Sequence, residues 1–90
     1  MAEHKSAIQE HRKSVRRRAR NRQNRTRMRS VVKRFRSLLA AGDIDAARQS
    51  LSATLGMIDR TSKLGAIHDR AAARTKSRLA RALNRTAAAG

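Results

Sequence analysis

From Arg12 to Arg36 the chain carries thirteen Lys or Arg residues and no Asp or Glu. Such a stretch cannot be enclosed in an apolar interior, because a buried ion without a partner loses its hydration and gains nothing in return. Whatever this segment folds into must be surface along its whole length, either solvated or laid against a polyanion. Solvated faces of ordinary domains mix charges of both signs, and this run does not.

The imbalance extends to the whole chain. The formal net charge is +17, of which residues 1–40 supply +12 and residues 41–90 supply +5. A charge of this size says nothing of the fold but predicts association with a polyanion: nucleic acid, anionic lipid or polyphosphate. Arg outnumbers Lys eighteen to five. Its planar fork grips two phosphate oxygens and is more weakly hydrated than an ammonium, although a GC-rich genome raises Arg as well. A membrane-surface helix needs a broad apolar face, and residues 12–29 offer only Val15, Ala19 and Met28. Binding of single strands by base stacking calls for several aromatics, and Phe35 is the whole supply. Contact with the phosphates and sugars of folded nucleic acid is the mode this composition favours.

Ninety residues are enough for one small domain. There is no proline, and glycine occurs only at positions 42, 56, 65 and 90. Ala, Arg and Leu, all good helix formers, dominate the rest, so the chain is expected to be all-α. Gly42 and Gly65 divide it in three. The first segment, about 6–41, has an apolar stripe only in its later part: Met28, Val31, Val32, Phe35, Leu38 and Leu39, spaced by threes and fours. Its earlier part has only Ala7, Ile8, Val15 and Ala19. As one helix it would be about 50 Å long, too long for the following segments to cover.

Gly42 suits the left-handed residue that ends a helix, and Asp43 suits the N-cap of the next. The second helix, about 43–63, has the stripe Ile44, Ala47, Leu51, Leu55 and Ile58, with Asp45 in its first turn and Arg60 and Lys63 in its last. Gly56 interrupts it at a cost of about 1 kcal/mol relative to Ala; close helix packing and simple tolerance are both open. Ile67 is expected to pack inward. The third helix, about 68–86, opens at His68 or Asp69 and carries Ala72, Ala73, the stem of Lys76, Leu79, Ala80 and Leu83, followed by a frayed tail, 87–90. The expected architecture is an antiparallel three-helix bundle whose long, highly basic first helix extends beyond the bundle. Like charges four apart, as in Arg12–Arg16, Arg16–Arg20, Arg18–Arg22 and Arg25–Arg29, each destabilise the rod by about 0.2–0.5 kcal/mol. The free rod is therefore expected to be largely disordered and to fold against its partner.

Ala2, Lys5-Ser6-Ala7, Arg17-Arg18-Ala19-Arg20-Asn21-Arg22, Arg29-Ser30 and Lys33-Arg34-Phe35, then the turn Ala40-Ala41-Gly42-Asp43, follow a pattern that resembles the bacterial small-subunit ribosomal protein S-twenty family. In the segment 63–81, Gly65, Ile67, His68, Ala72-Ala73-Arg74 and Lys76-Ser77-Arg78-Leu79 resemble the carboxy-terminal signature of that family. The likeness spans nearly the whole chain. It implies a three-helix bundle with a long first helix that binds small-subunit (16S) ribosomal RNA near the bottom of the body, early in 30S assembly. It also implies a cytoplasmic location within the ribosome, beside other 30S components. The chain departs from the pattern at Glu3, at Ile8-Gln9-Glu10 and at Asp69-Arg70, which bears on individual RNA contacts rather than on the assignment.

The candidate RNA-binding residues fall in two groups. On the rod they are Lys5, Ser6, Arg12, Lys13, Arg16, Arg17, Arg18 and Arg20, then Asn21, Arg22, Asn24, Arg25, Arg27, Arg29, Lys33 and Arg34. In the third segment they are His68, Arg70, Arg74, Lys76, Arg78 and Arg81. Asn21, Gln23 and Asn24 offer base-edge or 2′-hydroxyl contacts, yet double-stranded RNA is read mostly by shape, so surface or phosphate-donor roles suit them better. His68 has two equal readings, helix cap or phosphate ligand. Ser6, Ser30 and Ser77 are possible phosphate donors, although small polar residues on helices are usually just surface.

His4 and His11, seven apart, lack the further ligands a metal would need, so neither metal nor cofactor is expected. No nucleophile is set beside a base and an orienting acid, and no glycine-rich phosphate loop is present, so no catalysis and no small-molecule substrate are expected. Without cysteine there are no disulfides. With no long apolar run or signal-like segment, the expected location is the cytoplasm and no membrane partner is expected. A DNA-compacting protein of the nucleoid is the alternative to an rRNA-binding one. It would usually need a dimerisation face, and the bundle leaves none to spare.

Overall fold

A computed structural model describes the backbone of residues 2–89 and the side chains of residues 4–89. It contains three helices, α1 (Ala2–Ala40), α2 (Ile44–Lys63) and α3 (Asp69–Ala89), and no strand among the described residues. Successive helices run antiparallel through two tight turns, as the glycine punctuation predicts.

Both turns have the same chemistry. Gly42 and Gly65 have φ of 76° and 77°, the left-handed region where an L side chain is strained. At the first, the Gly42 N–H donates to Leu39 O at 3.0 Å and the Asp43 N–H to Leu38 O at 2.9 Å. At the second, the Gly65 N–H donates to Ser62 O at 2.9 Å and the Ala66 N–H to Thr61 O at 3.1 Å. Each pair is the Schellman arrangement, which satisfies carbonyls that the helix end would otherwise leave free. The chain then restarts at once. The Asp43 carboxylate accepts from the Ala46 N–H at 3.3 Å, and the His68 Nδ1 accepts from the Arg70 N–H at 3.1 Å. The His68 side chain is thus the N-cap of α3.

The core forms where the three stripes meet. Phe35, Ala47, Ile58, Ala72, Leu79 and Leu83 are buried together, and Met28, Val32, Leu38, Leu39, Ile44, Leu51 and Ile67 pack around them. Helix α2 lies between its neighbours, packed against both, while α1 and α3 meet only slightly. Thr54 and Thr61 are also fully buried, though the apolar stripe of α2 omits them. Their hydroxyls donate to Ser50 O at 2.8 Å and Met57 O at 2.7 Å, so the oxygens enter the interior without an unmet hydrogen bond. With them the buried face of α2 becomes 47, 51, 54, 58 and 61, an unbroken alternation of four and three. Some expected core positions are peripheral: Val31, Leu55 and Ala80 are half-buried, and Ala73 is exposed.

The helix ends differ modestly from expectation. Helix α1 begins at Ala2 rather than near Ser6, and α3 continues to Ala89 rather than fraying after Thr86. Ala87, Ala88 and Ala89 are the strongest of helix formers and nothing before Gly90 stops them; Gly90 itself lies outside the described residues. Gly56 is exposed, and a Cβ built on it would meet nothing within 4 Å. It is tolerated, not required for packing.

A candidate nucleic-acid interface

At 1.5 Å per residue, the 39 residues of α1 reach about 58 Å and the 20 of α2 about 30 Å. The hairpin of α2 and α3 therefore covers only the later half of α1, and the molecule measures 68 × 20 × 15 Å. From His4 to Arg20 every described side chain is exposed except half-buried Ser14. Lys5, Ser6, Arg12, Lys13, Arg16, Arg17, Arg18 and Arg20 all stand on this projecting part. At about 100° per residue, seven of them fall within one sector of about 140°, and Arg18 alone stands on the opposite side. Arg18 Nη2 also donates to Ser14 Oγ at 3.0 Å, which orients its guanidinium along the rod.

Beyond Arg20 one side of α1 is covered. Asn21, Asn24, Arg25 and Met28, spaced by three, one and three, are half-buried and extend the face that meets the hairpin. Arg25 Nη1 donates to the Ala66 carbonyl at 3.3 Å, so this predicted phosphate ligand ties the rod to the α2–α3 turn. The sequence held no local signal for that role, because Ala66 lies 41 residues away. Arg22, Arg27, Arg29, Lys33 and Arg34 remain exposed on the uncovered side, as does Arg36, which was not among the candidates. The hydroxyls of Thr26, Ser30 and Ser37 donate to Arg22 O, Thr26 O and Lys33 O. Ser30 has thus spent the proton that phosphate donation would require.

The second group lies on α3 and its cap. His68 Nδ1 is occupied by the cap, which leaves Nε2 of this exposed ring as its outward atom. Arg70, Arg74, Arg78 and Arg81 are exposed, and Arg85, absent from the sequence-based candidates, continues the same face. Lys76 departs from the group: its Nζ lies 2.8 Å from Asp59 Oδ1 on α2. This is the one ion pair among the described residues, so the other Lys and Arg side chains of α1 and α3 have no carboxylate partner there. Asp69, one of the departures from the family pattern, has a structural role. It occupies the first turn of α3, where negative charge suits the helix dipole, and it accepts the Ser62 hydroxyl from the end of α2. Glu3, another departure, lies outside the described side chains.

The result is a basic rod, held at one end by a small hairpin and exposed along the other half of its length. No helix is long and apolar enough to cross a membrane. Comparison with known proteins gives consistent results. The chain is 39% identical over 84 residues to the small ribosomal subunit protein bS20 of Pelobacter propionicus, covering 93% of this chain and 97% of that one. With the bS20 of Rhodococcus jostii it shares 45% identity over 51 residues, 57% of this chain and 59% of the relative. With that of a Cyanothece strain it shares 55% over 42 residues, 47% and 42% of the two chains. Several of these alignments thus span only about half the length of the curated relatives, whereas the Pelobacter alignment is nearly end to end. The sequence pattern of the family described as Ribosomal protein S20 matches residues 2–84, and the chain belongs to that family.

Proposed function

We propose that this protein is a structural constituent of the small ribosomal subunit that binds 16S ribosomal RNA directly and stabilises its folding during 30S assembly. The observation that carries this reading is the projecting half of α1, whose exposed cations have no carboxylate partner among the described residues. Phosphates that approach from several sides relieve the mutual repulsion along the rod, and release of their counterions supplies affinity. The cations of the projecting half lie mostly on one broad face, and Arg22, Arg29, Lys33 and Arg36 further along α1 face the other way, so separate RNA segments can be held by one helix at the same time. The hairpin anchors the rod through the Phe35 cluster and Arg25, so the rod enters the RNA at a fixed angle.

The test is binding to 16S rRNA across a salt series, with duplex DNA as competitor and hydroxyl-radical footprinting of the RNA. Affinity should fall linearly in log–log form with salt, with discrete protected segments and preference for the RNA. Binding that persists in molar potassium chloride, or after every arginine between 12 and 29 becomes glutamine, would overturn it. Equal affinity for duplex DNA would favour the nucleoid alternative.

A further inference from the structure

Arg70, Arg74, Arg78, Arg81 and Arg85 follow one another along α3 at intervals of four, four, three and four. At about 100° per residue they fall within a sector of about 80°. All five are exposed, and the core residues Ala72, Leu79 and Leu83 occupy the opposite side of the helix. Lys76, the other cation of α3, sits on the α2-facing side and is paired with Asp59. The nearby acids have other roles: Asp69 accepts from Ser62 and Asp59 from Lys76. The result is a single-sign ladder on a helix that could have alternated its charges, despite the destabilisation that like charges four apart impose.

Four residues of helix advance about 6 Å and the whole ladder spans about 22 Å. That step is comparable to the separation of successive phosphates on one nucleic-acid strand. Guanidinium is the group best shaped to take two oxygens of each. We propose that the outward face of α3 is a second RNA-binding surface, separate from the rod, along which one sugar–phosphate strand runs parallel to the helix axis with roughly one arginine to a phosphate. The proposal rests on the reading of the chain as an rRNA-binding protein and adds the strand geometry. It also assigns Arg85, which lies just beyond the residues matched by the family pattern. Since α2 separates α3 from most of α1, the two surfaces engage different RNA segments and the protein staples them together.

A charge-preserving transposition tests the geometry. Ala73 and Asn84 are exposed and lie off the ladder. The fourfold variant Ala73→Arg, Arg74→Ala, Asn84→Arg, Arg85→Ala moves two cations by about 100° around the helix without altering net charge. Binding of this variant and of the wild type to intact 16S rRNA is measured over a salt series, with circular dichroism to verify equal helicity. The ladder predicts an affinity loss of about tenfold or more and a log–log salt slope shallower by roughly 0.7–0.9 for each displaced arginine. Wild-type affinity and slope in the transposed protein would overturn it, since charge alone would then suffice. Should the transposed helix prove less helical, Arg85→Gln alone is read in the same way: the slope falls by about one if the ladder is correct and stays unchanged if it is not. Absence of salt-dependent binding by the wild type would instead remove the underlying rRNA-binding reading, an outcome distinct from loss of the ladder alone.

Discussion

Arg25 Nη1 and the carbonyl oxygen of Ala66 meet at 3.3 Å, joining the middle of the basic rod to the turn that links α2 and α3. Ala66 is buried and its N–H is already used by Thr61 O. Its carbonyl has this guanidinium as its side-chain partner, and a hydrogen bond from a charged donor contributes about 1.5–3 kcal/mol; half-burial of Arg25 places this one toward the lower end. Arg25→Met keeps the aliphatic packing and removes the donor. The expected result is a loss of about 1 kcal/mol, which lowers the melting temperature by roughly 4–8 °C in a domain of this size. The neighbouring Arg29→Met, exposed and without a protein partner, should leave melting nearly unchanged while weakening RNA binding. Equal thermal effects of the two substitutions would show that the contact does not hold the rod.

The glycines give a prediction with two signs. Gly42, Gly56 and Gly65 all have open space where a Cβ would stand, so crowding decides none of them. Gly42 and Gly65 have positive φ, however, whereas Gly56 lies inside α2. Gly42→Ala and Gly65→Ala should each destabilise the protein by about 1–2 kcal/mol through backbone strain alone. Gly56→Ala should stabilise it by about 0.5–1 kcal/mol, because alanine restricts the unfolded chain and favours helix. Chemical denaturation of the three variants reads the sign directly.

The difference between these glycines marks what the sequence makes legible. Turn positions follow from local chemistry, so Gly42, Asp43 and Gly65 announce helix ends before any packing is known. The stripes of α1 and α2 likewise point to Phe35, Ala47 and Ile58. The pattern does not reveal Thr54 and Thr61, because a hydroxyl reads as polar until its bond to the carbonyl four residues earlier is seen. Arg25 and Lys76 read as phosphate ligands because charge is visible in sequence and distant partners are not; their attachments to Ala66 and Asp59 are tertiary. Arg85 needed only helical spacing, the same spacing that groups Arg74 with Arg78.

Lys76 tests whether an ion pair competes with RNA. Its pair with Asp59 is substantially exposed, with side-chain accessibilities of 36% and 51%, so solvent and salt screen it and its contribution to stability is at most about 1 kcal/mol. Asp59→Asn should therefore change melting very little. It frees a cation near the start of α3 and removes a negative charge from the hairpin, so rRNA affinity at low salt should rise by a few-fold and the gain should fade as salt increases. A fall in affinity would mean that the pair orders α3 for binding rather than sequestering Lys76.

The projecting half of α1 poses the last question, since the structure shows it helical to Ala2 without a tertiary contact to support most of its length. Isolated helix of this kind depends on intrinsic propensity, which is good for Arg and Ala, and on charge, which is adverse here. Nucleation is not the obstacle, because the rod grows from the anchored segment around Phe35. Repulsion between successive arginines therefore governs how far the helix propagates toward His4. The free protein at low salt should show markedly less helix by circular dichroism than its 80 helical residues would give, and the missing signal should appear when sulfate or rRNA neutralises the rod. Replacing Arg12, Arg16 and Arg20 by glutamine should restore much of it without any ligand. Full helicity of the unbound wild-type protein at low salt would mean that propensity outweighs repulsion, and that RNA receives a preformed rod instead of inducing one.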